Sequence, residues 1–110
     1  MKRVMWIEYK GEGLAGPARI GWVKISQRGK RIDYHGRSFR TLNGHGFKSN
    51  YYDMETGEEY WISGCRKDGC NALYNTDVEI DPDAIQEYWL NIRKKPENVK
   101  VKKFRAMGKY

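Results

Sequence analysis

The chain has 110 residues, with 21 Lys/Arg against 14 Asp/Glu and a formal net charge of +7. That length excludes a second sizeable core, which would need about another 100 residues. A content of 39% hydrophobic and 14% aromatic residues excludes a disordered chain, and no run approaches the ~20 apolar residues that span a bilayer.

Val4 to Tyr9 is rich in β-branched and aromatic residues and predicts a strand, followed by the glycine-punctuated loop Gly11 to Pro17. Over 19–26, Ile20, Trp22 and Lys24 alternate with Gly21, Val23 and Ile25, the period of a strand buried mainly on one side. Gln27-Arg28-Gly29-Lys30 supplies a tight turn, and the returning strand 31–35 places Ile32 and Tyr34 on one face. Gly36 interrupts it, a strand over 37–42 follows, and Asn43-Gly44-His45-Gly46 reads as a turn. Strands over 50–54 and 58–63 flank the hairpin loop Glu55-Thr56-Gly57, and 72–80 has room for one or two brief strands.

One helix is predicted at about 82–95. Asp81 is placed as an acidic N-cap, Pro82 at the first helical position, and Ile85, Tyr88, Trp89 and Ile92 as the apolar stripe. The segment Val99 to Phe104 alternates enough to pair as an edge strand if an edge is offered, and otherwise forms a flexible arm. The order predicts a mainly β fold: a small antiparallel curled sheet or barrel, Src-homology-3-like, with one C-terminal helix. Residues 1–95 are expected to form a single domain, and 96–110 a basic tail.

At Trp6-Ile7-Glu8-Tyr9-Lys10-Gly11, Gly16-Pro17-Ala18-Arg19-Ile20-Gly21 and Glu58-Glu59-Tyr60-Trp61-Ile62-Ser63-Gly64 the chain resembles a group of small bacterial proteins, over roughly residues 5 to 95. Some members bear the label deoxyxylulose-phosphate synthase, but the resemblance implies no established activity. The label also conflicts with size: a thiamine-diphosphate synthase needs a diphosphate and metal site within a large dimeric active site, which one core of this length does not hold.

Chemistry-bearing residues are few and scattered. His35, His45, Cys65 and Cys70 are of zinc-ligand type, but only the cysteines are close in sequence, and a structural zinc site usually combines two tight pairs. Two cysteines are also too few for a disulfide scaffold, which with the absence of a signal-peptide core points to a cytoplasmic protein. The acidic stretch Asp53 to Glu59 lacks the ligand spacing of a calcium loop, and Glu58 and Glu59 diverge as neighbours on a strand. Ser38 and Ser63 have no nucleophile elbow. A non-enzyme with no cofactor and no metal is expected.

Charge carries the functional expectation. Residues 1–50 hold 11 Lys/Arg and 3 Asp/Glu, residues 51–92 hold 2 and 10, and residues 93–110 hold 8 and 1. Cations that neutralise phosphates beside rings that stack on bases make a nucleic-acid platform for RNA or DNA. On the basic half, Arg28, Lys30, Arg31, Arg37 and Arg40 are the expected phosphate contacts, and Tyr34, Phe39 and Tyr51 the expected stacking rings. The alternative is a protein-interaction module, a regulatory or defence-pair partner, that engages a protein through the acidic hairpin Glu55 to Trp61 or the basic tail.

Overall fold

The computed structural model describes all 110 residues. Eight strands form one sheet: β1 (Lys2–Tyr9), β2 (Ala18–Ile25), β3 (Arg31–Tyr34), β4 (Arg37–Thr41), β5 (Tyr51–Asp53), β6 (Glu59–Gly64), β7 (Thr76–Ile80) and β8 (Lys103–Ala106). Their order is β1-β6-β5-β4-β3-β2-β7-β8, and because β1 also pairs with β2, the first six strands close into an antiparallel barrel. The predicted small barrel with one helical segment is what the chain forms. Closure removes the unpaired edges that an open six-stranded sheet would expose.

The hairpins follow from their turn residues. Gly29 takes φ 69° between β2 and β3. Between β3 and β4, His35 and Gly36 both take positive φ, 50° and 75°, as a two-residue type I′ turn demands. Gly36 therefore does not merely end a strand; it reverses the chain into β4, with Tyr34 opposite Arg37 and Ile32 opposite Phe39.

Two apolar clusters result. Inside the barrel lie Met5, Ile7, Val23, Ile32, Tyr34, Phe39 and Ile62. Outside it, Val4, Trp6 and Ile20 on β1 and β2 pack against Val78 and Ile80 of β7 and against Ala84, Ile85, Tyr88 and Trp89. β1 and the first part of β2 are thus buried on both faces, which for β2 corrects the expectation of one-sided burial.

The helical run over 82–92 is irregular: a 3-10 turn at Pro82–Ala84, then a π-helical stretch at Glu87–Ile92. Asp81 precedes it but makes no side-chain cap, because its carboxylate is committed elsewhere. The tail is part of the sheet. After a 3-10 turn at Pro96–Asn98, β8 pairs antiparallel with β7, Thr76 opposite Ala106 and Glu79 opposite Lys103. No helix is long and apolar enough to cross a membrane.

Candidate nucleic-acid interface

Strand direction decides which charges meet. The C-terminal ends of β1, β3 and β5 and the N-terminal ends of β2, β4 and β6 meet at one end of the barrel, here called the mouth. The opposite end carries the start of β1, the β2–β3 turn, the 42–50 loop and the end of β6.

The mouth opens into a cavity of about 1220 Å³ lined by Tyr9, Arg19, Tyr34, His35, Arg37 and Tyr60, among others. It exists because β2 changes partner along one edge. Ala18 to Ile20 pair with β7 in parallel, whereas Lys24 and Ile25 pair with β3. Asp81 sits at that fork, its amide donating to the Ile20 carbonyl at 2.9 Å.

The Asp81 carboxylate, only 1% exposed, ties the fork together. Arg19 donates to Oδ1 from Nη2 at 2.5 Å and from Nε at 3.1 Å. Tyr34 donates its hydroxyl to Oδ2 at 2.6 Å, and His35 Nε2 lies 2.9 Å from the same oxygen. Burial and the Asp81 bond push the Tyr34 hydroxyl well above its ordinary range, so it stays a donor. Gly21 makes the arrangement possible: a Cβ there would stand 2.2 Å from Asp81 Oδ2 and 2.8 Å from Tyr34 Cε1.

The second guanidinium of the mouth is held by an ion pair, without the aligned hydrogen bonds that Arg19 makes. Arg37 Nη2 lies 2.7 Å from Asp53 Oδ2, and its guanidinium carbon stands 6.0 Å from the Phe39 ring centre and 5.8 Å from that of Tyr60. Burial pushes the Asp53 carboxyl up, but the Glu55 and Thr56 amides and the Arg37 charge outweigh it and hold it below its ordinary value. Tyr9 donates to Glu58 Oε2 at 2.5 Å, a bond that raises its hydroxyl to about 12.

These contacts correct part of the expected interface. Tyr34 and Phe39, 6% and 1% exposed, face the barrel interior and offer no ring to a base. Tyr51 also points inward, opposite Thr41 and Tyr60, and donates to the Gly29 carbonyl at 2.5 Å. Arg37 belongs to the mouth and is neutralised there.

The remaining predicted cations do converge. Arg28 and Lys30 occupy the β2–β3 turn, and Arg31 and Arg40 are directly opposed on the outer face of β3 and β4. Arg31 is held by Asp33, Nε to Oδ1 3.1 Å, and also donates to Ser38. Lys2 is paired across strands with Lys24, and Lys48 lies in the 42–50 loop, so both bring further charge to the same end. Lys2, Lys24, Arg28, Lys30, Arg40 and Lys48 have no carboxylate within 4 Å. Tyr52, not the expected Tyr51, is the outward ring beside Arg40. Strand alternation alone allows either parity; only the register chooses.

Cys65 and Cys70 are free thiols. Burial raises the Cys65 thiol to about 12, so it is protonated and unreactive at neutral pH, whereas Cys70 is exposed. No three His, Cys, Asp or Glu side chains converge as metal ligands. Comparison with family models, with curated proteins and with solved structures returned no match, which leaves the geometry of the barrel's two ends to carry the functional argument.

Proposed function

We propose that the protein binds nucleic acid without catalysis and with low sequence specificity, through the basic end of the barrel opposite the mouth. One observation carries this reading. Lys2, Arg28, Lys30, Arg40 and Lys48 come from four separate parts of the chain, yet lie at one end, and none has a carboxylate within 4 Å; Lys24 lies opposite Asp33 and shares its field with that carboxylate. Unpaired cations retain their condensable field, and a polyanion that neutralises them releases its own counterions. Arg28, Lys30 and Arg40 are the principal phosphate contacts, with Arg31 contributing the face of its guanidinium not bound to Asp33.

In the protein-interaction alternative the tail would present its exposed lysines from a strand paired with β7 rather than from a free arm. Fluorescence anisotropy with a short oligonucleotide at several salt concentrations tests the nucleic-acid reading. Arg28→Ala with Lys30→Ala is expected to lower affinity and to flatten the salt slope by about 0.7–0.9 per lost phosphate contact. Lys103→Ala, an exposed lysine at the rim of the mouth, is expected to leave both unchanged. Equal effects of the two variants would contradict the assignment.

A further inference from the structure

A groove of about 460 Å³ runs along the outer face of β6, bounded by the 42–50 loop and the C-terminal residues. Two rings open onto it. Phe47 is 95% exposed, and Trp61 is 38% exposed on the outward face of β6, opposite Glu8 of β1. A phenylalanine left almost wholly in water contributes nothing to a core and forfeits the burial of a large apolar ring.

The loop that presents Phe47 is fastened rather than loose. Leu42 donates its amide to the Asn50 carbonyl at 3.0 Å, and Asn50 exchanges two side-chain hydrogen bonds of 2.8 Å with the backbone of Ile62 on β6. Ser49 donates its hydroxyl to Glu59. Gly46 permits the tight fold, since a Cβ there would stand 2.2 Å from the Ser49 carbonyl oxygen. The ring is therefore held out by a loop anchored at both ends.

The electrostatics of the groove select its occupant. Its one carboxylate from the barrel wall, Glu8, is spent internally: Lys10 Nζ lies 2.8 Å away, and Trp6 donates its indole N–H at 3.1 Å. Arg66 is paired with Asp68 at 3.0 Å. Lys48 and Lys109 line the groove with no carboxylate within 4 Å. An accessible pair of π faces beside uncompensated ammonium groups is complementary to unpaired bases on a phosphate backbone. A duplex keeps its base faces covered, and an acidic peptide has no use for the rings.

We infer that this groove seats a single-stranded nucleic acid, with bases stacked on Phe47 and Trp61 and the flanking phosphates held by Lys48 and Lys109. The inference rests on the nucleic-acid reading above and deepens it. Lys48 joins the two regions, since it belongs both to the basic end and to the groove. Strand entry at the basic end thus continues along β6.

The full chain is titrated against oligo-dT, against the duplex of oligo-dT with oligo-dA, and against poly-glutamate, following anisotropy and tryptophan fluorescence. The wild type is expected to bind the single strand most tightly and to show quenching that Trp61→Phe abolishes while retaining binding. Phe47→Ala and Trp61→Ala are each expected to weaken single-strand binding about 5- to 150-fold, with duplex binding and the salt slope unchanged. Thermal melting of each variant registers any loss of fold, and Trp61→Phe keeps the test open if Trp61→Ala unfolds. Unaltered single-strand affinity in Phe47→Ala and in a folded Trp61→Ala, or binding by the wild type without tryptophan quenching, beside lost affinity in Arg28→Ala/Lys30→Ala, overturns the groove and spares the basic end. Poly-glutamate displacing oligo-dT at equal charge concentration also overturns it. Failure of the wild type to bind either nucleic acid removes both readings.

Discussion

The two ends of the barrel are built from the same residue types and differ in how those residues are used. At the mouth Arg19 is bound to Asp81 and Arg37 to Asp53, both carboxylates buried, and the rings of Tyr34 and Phe39 lie inside. At the opposite end Arg28, Lys30, Arg40 and Lys48 stand without partners, and Phe47 faces water. A guanidinium bound to a buried carboxylate is a structural tie, because removing either partner strands a charge. One without a partner has little to lose from replacement in the folded protein and most to gain from an external anion. Charge count does not separate these roles; the position of the carboxylates does.

The sharpest way to break this comparison is to attack the tie itself. Asp81→Ala removes the acceptor of Arg19 and Tyr34 and the carboxylate beside His35 together, and is expected to cost about 3–5 kcal/mol, read as a fall in the midpoint of urea unfolding. A loss within ~0.5 kcal/mol, the range of an ordinary surface substitution, would show that the fork is held by β-pairing and packing alone. Gly21→Ala tests the same site from the side of space rather than charge. Its methyl group must displace Asp81 Oδ2 or the Tyr34 ring, and a loss of about 1–3 kcal/mol is expected by the same measurement.

A smaller effect comes from Asp53 and depends on pH. Its carboxyl titrates lower in the folded protein than the ~3.9 of an unfolded chain, so the ionised form is favoured by folding. The stabilisation is fully present above about pH 4 and is lost as pH falls through the lower folded value. Asp53→Asn is expected to cost about 1 kcal/mol at neutral pH and to flatten the stability profile on the acid side. An unchanged acid limb in urea titrations at neutral and acid pH would place the pH dependence elsewhere.

Local signals in the chain foretell most of the elements. Gly29 and the alternation on either side of it specify the β2–β3 hairpin, and Pro82 with the stripe Ile85, Tyr88, Trp89 and Ile92 specifies the helical run. Closure is not local, and the errors trace to it. A barrel has an inside, so Tyr34 and Phe39 alternate with charged neighbours yet vanish into the core, whereas on an open sheet the same alternation could have left them on a solvent face. Asp81 has the sequence of an N-cap, but the fork of β2 draws its side chain to Arg19 and Tyr34. A glycine within a strand signals close approach, and Gly21 was the one sequence sign that something would lie against β2 at that point. The charge blocks were legible as composition, but strand direction redistributes them: Arg19 and Arg37 of the basic half join the acids at the mouth.

Polyanions are expected to meet the end of the barrel whose cations are unpaired and to leave the mouth untouched. Mapping amide chemical shifts during titration with a single-stranded oligonucleotide tests it most directly. Shifts concentrated over 26–31, at Arg40 and over 47–48, continuing to Trp61 and Lys109 along the groove, are the predicted result. Shifts centred on 34–37 and 58–60 would contradict it, as would a spectrum that does not move at all.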